Sequence, residues 1–132
     1  MSGGGAGILL QIDFQLLGTS VPPKEISNIL GMVPDTAFLA GERNPRLGLP
    51  RQSIWSVRSR SSSSEVADHW ESLAAALNRV RYEIRAIADT GRARITLVIF
   101  DGERIPPLTI PPLMAEFAGF VGAEIDIDHL QQ

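Results

Sequence analysis

Five arginines, Arg43, Arg46, Arg51, Arg58 and Arg60, follow one another with no acid between the first and the last. Each guanidinium offers a flat fork of donors that matches a carboxylate or a phosphate. Trp55 lies among them, and tryptophan and arginine are enriched at protein-binding hot spots. The same combination can stack on an exposed base. The opposite chemistry stands further along, where Glu124, Asp126 and Asp128 alternate with Ile125 and Ile127. On a strand, alternate carboxylates share a face about 7 Å apart. Such a ladder could hold Mg²⁺ or Ca²⁺. It could also supply the carboxylate pair of a glycosidase, whose groups stand roughly 5–10 Å apart.

Each segment also has a plain structural reading. Trp55 can be core, with the arginines spread around a loop and paired to Glu65, Asp68 and Glu71. The acids can form a solvated face, paired across the sheet with Arg92 or Arg94. No loop of carboxylates and glycines elsewhere completes a metal site. The charge is polarised along the chain, since beyond Arg104 the formal charges are all acidic, Glu116 and the terminal ladder. If the two segments lie apart, the surface is dipolar and steers a charged partner. If they touch, the charges cancel.

Other chemistry is thin. The 132 residues include no cysteine, which excludes disulfides, thiolate zinc sites and thiol catalysis. His69 and His129 are the only histidines and lack metal-binding spacing. His69 precedes Trp70 at the polar boundary of a helix, and both histidines read as surface or boundary residues. No Gly-x-Ser-x-Gly elbow marks a serine nucleophile. The run Gly3-Gly4-Gly5 lacks the Gly-Lys-Ser/Thr ending of a phosphate loop, so no cofactor and no catalytic residue is assigned. Twelve basic and fifteen acidic residues give a net charge of −3, which disfavours nucleic acid as the partner.

The elements that must position these residues follow from periodicity. Leu10, Ile12, Phe14 and Leu16 alternate with polar residues, so 8–17 reads as a half-buried strand. Pro22-Pro23 opens a helix to Leu30, Gly31 closes it, and Pro34 prevents resumption. Phe38 and Leu39 fit a short strand. Gly41, Pro45, Gly48 and Pro50 make 41–52 an exposed loop, and 53–58 resumes as a strand around Trp55. Ser63 or Ser64 can cap the next helix. Val66, Trp70, Leu73, Leu77, Val80, Ile84 and Ile87 then form a helical stripe. It predicts helix over 65–89, as one long helix or two in tandem with a break near Asn78, although Val80, Tyr82, Ile84 and Ala86 also alternate with polar residues, so that by period alone 79–86 fits a strand. Residues 94–100 read as an apolar strand, with Asp101-Gly102 as a hairpin-type turn. Prolines confine any strand at 107–110 to a short or edge position. Helix 111–121 turns Leu113, Phe117, Phe120 and Val121 inward, and a strand carries the acidic ladder.

The order of these features resembles a known family. Leu30-Gly31, Pro34, Gly41 and Trp55 come first, then a helix pair, a Pro111-Pro112-Leu113 helix and an ending Gly122 to Asp128. Over residues 8–130 this resembles the uncharacterised bacterial family known as domain of unknown function 4279. It departs at His129-Leu130, where such proteins tend to finish on an aromatic. The resemblance implies a single compact α+β domain and a candidate immunity or partner-binding role.

The expectation is therefore an α+β domain over 8–130, a two-layer sandwich with a mixed or mostly antiparallel sheet and helices packed against it, behind a flexible glycine-rich leader at 1–7. Trp55, Trp70, Phe14, Phe100 and Phe117 should be buried. No basic residue precedes Lys24, and no run approaches the ~18 apolar residues of a membrane helix, so a cytoplasmic protein with no membrane contact is expected. The leading functional expectation is a non-catalytic protein-binding domain, immunity-type or regulatory, using the five arginines. The alternatives are a metal- or carboxylate-dependent enzyme using Glu124, Asp126 and Asp128, and a module for RNA or single-stranded nucleic acid. Were the acidic strand an exposed edge, two copies could pair there as a homodimer, although its charges oppose this.

Overall fold

The computed structural model describes residues 9–100 and 107–130. Five strands form one mixed sheet in the order β2-β3-β1-β4-β5. They are β1 (Leu9–Leu17), β2 (Thr36–Phe38), β3 (Ile54–Arg58), β4 (Arg92–Phe100) and β5 (Ala123–Leu130). The helices are α1 (Pro23–Leu30), α2 (Val66–Arg79), α3 (Arg81–Ala88) and α4 (Pro112–Val121). The α+β class and the helix-on-sheet arrangement follow the sequence expectation. The leader at 1–7 and the Asp101-Gly102 turn lie outside the described residues.

β1 is central because its alternation presents one apolar face. Leu10, Ile12, Phe14 and Leu16 are all buried against the helices. β3 and β4 flank it antiparallel, with Phe14 opposite Val57 on one side and Ile95 on the other. The strand beside β4 is β5, which runs parallel to it. A parallel neighbour needs a crossover rather than a hairpin, and α4 lies in that connection. Residues 107–110 form no strand.

The long apolar stripe breaks at Val80, two residues beyond Asn78. Val80 has φ −119° and ψ 26°, outside the helical range, so α2 and α3 are separate. The stripe survives the break, with Val66, Trp70, Leu73, Leu77, Ile84 and Ile87 in the core. Trp70 and Phe14 both pack on Phe117, at ring-centroid distances of 5.3 and 5.8 Å. Some details differ from the sequence reading: α2 begins after Glu65, with no side-chain cap from Ser63 or Ser64, and Phe120 is only half-buried. α4 turns Met114, Phe117, Ala118 and Val121 inward and leaves Leu113 72% exposed. Helical spacing explains it, because the i, i+3, i+4, i+7 set from Met114 includes Phe117 and Val121 whereas Leu113 lies off that stripe. Phe100 is half-buried, because its register partner Leu130 places it on the sheet face opposite the helices.

Among the described residues, no helix packs on that opposite face. Register partners share a face, so it carries Asp13, Gln15, Ser56, Arg58, Arg92, Arg94, Thr96, Glu124 and Asp126. That face therefore carries Arg58 on β3 and the acidic ladder on β5.

Candidate functional site

The arginines sit at the β2 end. Residues 39–52 fold back on themselves as a compact loop. Gly41 N–H donates to Pro50 O at 2.8 Å, and Arg43 and Asn44 both donate to Leu49 O. Glu42 accepts from Leu39 N–H at 2.8 Å. The loop needs two left-handed residues, Gly41 at φ 76° and Gly48 at φ 65°, a conformation that a side chain opposes. Between the loop and β2–β3 lies an open cavity of about 410 Å³. Thr36, Phe38, Leu49, Pro50 and Ile54 form its apolar walls, with Arg43 and Asn44 adding donors.

The five arginines divide into two groups. Arg43 lies over the Phe38 ring, 5.2 Å from its centroid, which holds the guanidinium at the cavity by a cation–π contact. Arg46 and Arg51 are exposed, and among the described residues neither makes an ion pair. Leu39, Leu47 and Leu49 are exposed beside them, Leu47 by 67%. Arg58 and Arg60 are held by Asp35 instead, through Arg58 N–H at 2.8 Å and the Arg60 guanidinium at 2.5 Å. The expected acids Glu65, Asp68 and Glu71 make no ion pair with any of the five. Burial acts to raise the Asp35 pKa, but the Arg60 hydrogen bond, the Arg58 N–H and both positive charges outweigh it and hold the carboxyl below its ordinary value. Trp55 is fully buried and donates Nε1–H to Ser27 Oγ at 3.0 Å. It anchors the strand rather than contacting a ligand.

The acidic ladder lies at the other end. Three inter-strand steps separate β3 from β5, a distance on the order of 14 Å. The two segments therefore do not pair across the sheet. Glu124 accepts from Arg92 and from Arg94, the latter at 3.0 Å. Those arginine hydrogen bonds, with the two positive charges, hold its carboxyl below the usual value. Among the described residues no group of three or more His, Asp or Glu is arranged to hold a metal. Asp13, on the same face, has its carboxyl pushed up by burial, against the hydrogen bond from Gln11 and the charge of Arg58.

His69 is not a boundary residue but is 1% exposed. Ser63 O accepts from its Nε2–H at 2.7 Å, and a carbonyl can only accept, so Nε2 carries the proton. Nδ1 then accepts from the Ser59 hydroxyl at 2.7 Å, and Ser59 Oγ accepts from Ile12 N–H at 3.0 Å. This chain ties β1, the end of β3 and α2 together with every ring nitrogen satisfied. The helical pattern from Val66 through Trp70 and Leu73 includes position 69 at i+3, which is the signal that could have revealed it. Asp35 carried no such signal, because it pairs with residues far along the chain.

The family model described as a domain of unknown function, DUF4279, matches residues 9–132. The chain belongs to DUF4279. No curated protein and no solved structure matches it. Within this DUF4279 chain, no described helix is long and apolar enough to cross a membrane.

Proposed function

We propose that this DUF4279 protein is a non-catalytic binding domain, of the immunity or regulatory kind, that engages a protein partner through its basic loop end. The partner presents an apolar side chain flanked by carboxylates. One observation carries this reading. In a single hydrogen-bonded loop, Arg46 and Arg51 stand exposed and, among the described residues, without ion pairs, the same loop exposes Leu39, Leu47 and Leu49, and Arg43 and Leu49 line its cavity. Exposed apolar groups rimmed by charge mark interaction sites. Arginine supplies the directional contacts at their centre. The buried Ser59–His69 pair supports no competing hydrolase reading, since its polar atoms are all satisfied inside the fold.

The test is affinity capture from source lysate with the wild-type chain and with R46E/R51E, each with and without nuclease. Thermal unfolding first establishes that both are folded. The expected result is one stoichiometric, nuclease-resistant protein held by the wild type and lost by the double variant. Retention by R46E/R51E overturns the site. Capture that nuclease abolishes replaces the protein partner with a nucleic acid.

A further inference from the structure

We propose that the free edge of β5 is a second docking site, whose occupant is an extended protein segment in which basic side chains alternate with apolar ones. This site lies at the far end of the sheet from the loop and stands independently of it. Among the described residues β5 is the last strand in the sheet order, and the one strand it pairs with is β4. It is eight residues long, and its outer row of N–H and C=O groups is a template for another strand. It contains no proline and no lysine to blunt that edge.

The side chains define what fits. Ile125 and Ile127 stand on the helix-bearing face of the sheet yet are 39% and 50% exposed. Glu124, Asp126 and Asp128 stand on the other face. Glu124 is already paired with Arg92 and Arg94, whereas Asp126 and Asp128 make no ion pair among the described residues. A second copy of the chain does not fit. Antiparallel pairing centred on Asp126 sets Asp126 against itself and Glu124 against Asp128, and parallel pairing in register sets like on like. Like charges directly opposite are destabilising.

β4 shows the chemistry that does fit beside β5. Its first four residues, Arg92 to Ile95, alternate arginine with apolar residues, and beyond them the uncharged Thr96 and Val98 stand opposite Asp126 and Asp128, leaving those two carboxylates without a cation from β4. Arg92 and Arg94 reach Glu124, while Ile95 and Leu97 lie opposite Ile125 and Ile127. A segment of the same alternation on the outer side sets cations against Asp126 and Asp128 and apolar side chains against the two isoleucines. Backbone hydrogen bonds supply affinity in such strand addition, and the alternation supplies specificity.

The experiment uses the full chain and three end-blocked synthetic peptides. They are an alternating basic one (Lys-Ile-Arg-Ile-Lys-Val), its block isomer (Lys-Lys-Arg-Ile-Ile-Val) and an alternating acidic one (Glu-Ile-Asp-Ile-Glu-Val). Fluorescence anisotropy measures binding, and amide hydrogen exchange locates it. The alternating basic peptide is expected to bind roughly tenfold tighter than the block isomer, as two ion pairs and two apolar pairs would give. It should also slow exchange within residues 123–130. D126K/D128K should reverse the preference towards the acidic peptide. D126N/D128N should lose the basic peptide without gaining the acidic one. R46E/R51E should bind the basic peptide as the wild type does, which separates this site from the loop. Equal binding of the block isomer, indifference to both β5 variants, protection elsewhere than β5, or a dimer formed through β5 each overturns the proposal.

Discussion

The two edges of the sheet are built in opposite ways. At one end β2 has only three residues, and the loop 39–52 folds back beside it. At the other, β5 has eight residues, and among the described elements β4 and α4 are its main neighbours. The first edge is basic and rests on a fully buried tryptophan in the adjoining strand. The second is acidic, and its largest apolar side chains are half in solvent. Strand edges invite pairing with other chains, and a short strand or a row of charges each limits that. This chain uses one device at each end. The difference teaches that the loop end derives its shape from the core, whereas the β5 end derives its selectivity from side-chain alternation alone.

If that contrast is right, truncations at the two ends differ most in stability. Trp55→Ala should cost about 3–5 kcal/mol, the range for emptying a fully packed aromatic site. Ile127→Ala should cost about 1 kcal/mol or less, as for a residue outside the packed core. Urea unfolding midpoints measure both, and equal losses would erase the distinction between an anchored and an unanchored end. Next in size is Ser59→Ala, which strips the partner from Ile12 N–H and from His69 Nδ1. Leaving buried polar groups unsatisfied costs about 1–3 kcal/mol, and amide exchange at Ile12 should accelerate.

The smallest effects concern the two carboxylates held by arginines. Asp35 is held below its ordinary 3.8 in the folded chain. The unfolded chain therefore binds the proton first as pH falls, and stability declines as pH drops through the lower folded value. Above the unfolded value the contribution is fully present. Arg60 is 65% exposed on its side of the pair, so solvent screening keeps the contribution to about 0.5–1 kcal/mol. Asp35→Asn should lower neutral-pH stability by that amount and leave strongly acidic stability unchanged. Glu124 is also held low but is fully exposed, so Glu124→Gln should leave the acid unfolding curve where it is. Unfolding curves recorded across the acid range check both substitutions.

Much of the fold was legible because its segments are strongly periodic. The alternation from Leu10 to Leu16 and the stripe from Val66 to Ile87 identified the central strand and the helices that cover it. Gly31 and the paired prolines marked helix ends in the right places. Leu113 and His69 misled for one reason. Each lies at the margin of its helical stripe, about one residue's turn of 100° from the stripe's centre, where spacing does not decide between inside and outside. The site was half legible. The arginines were visible as a cluster, but their division was not, because Asp35 is distant in sequence from Arg58 and Arg60.

Local periodicity by itself determined the class of fold, the apolar core and the presence of oppositely charged segments, since burial of one face per element follows from residue spacing. Tertiary structure alone decided which edges are open. It placed β1 between β3 and β4 and ran β5 parallel to its neighbour. It thereby set Arg58 and the acidic ladder on one face, three inter-strand steps apart. Strand order rests on contacts between residues far apart along the chain, and no local pattern encodes which neighbour a strand will take.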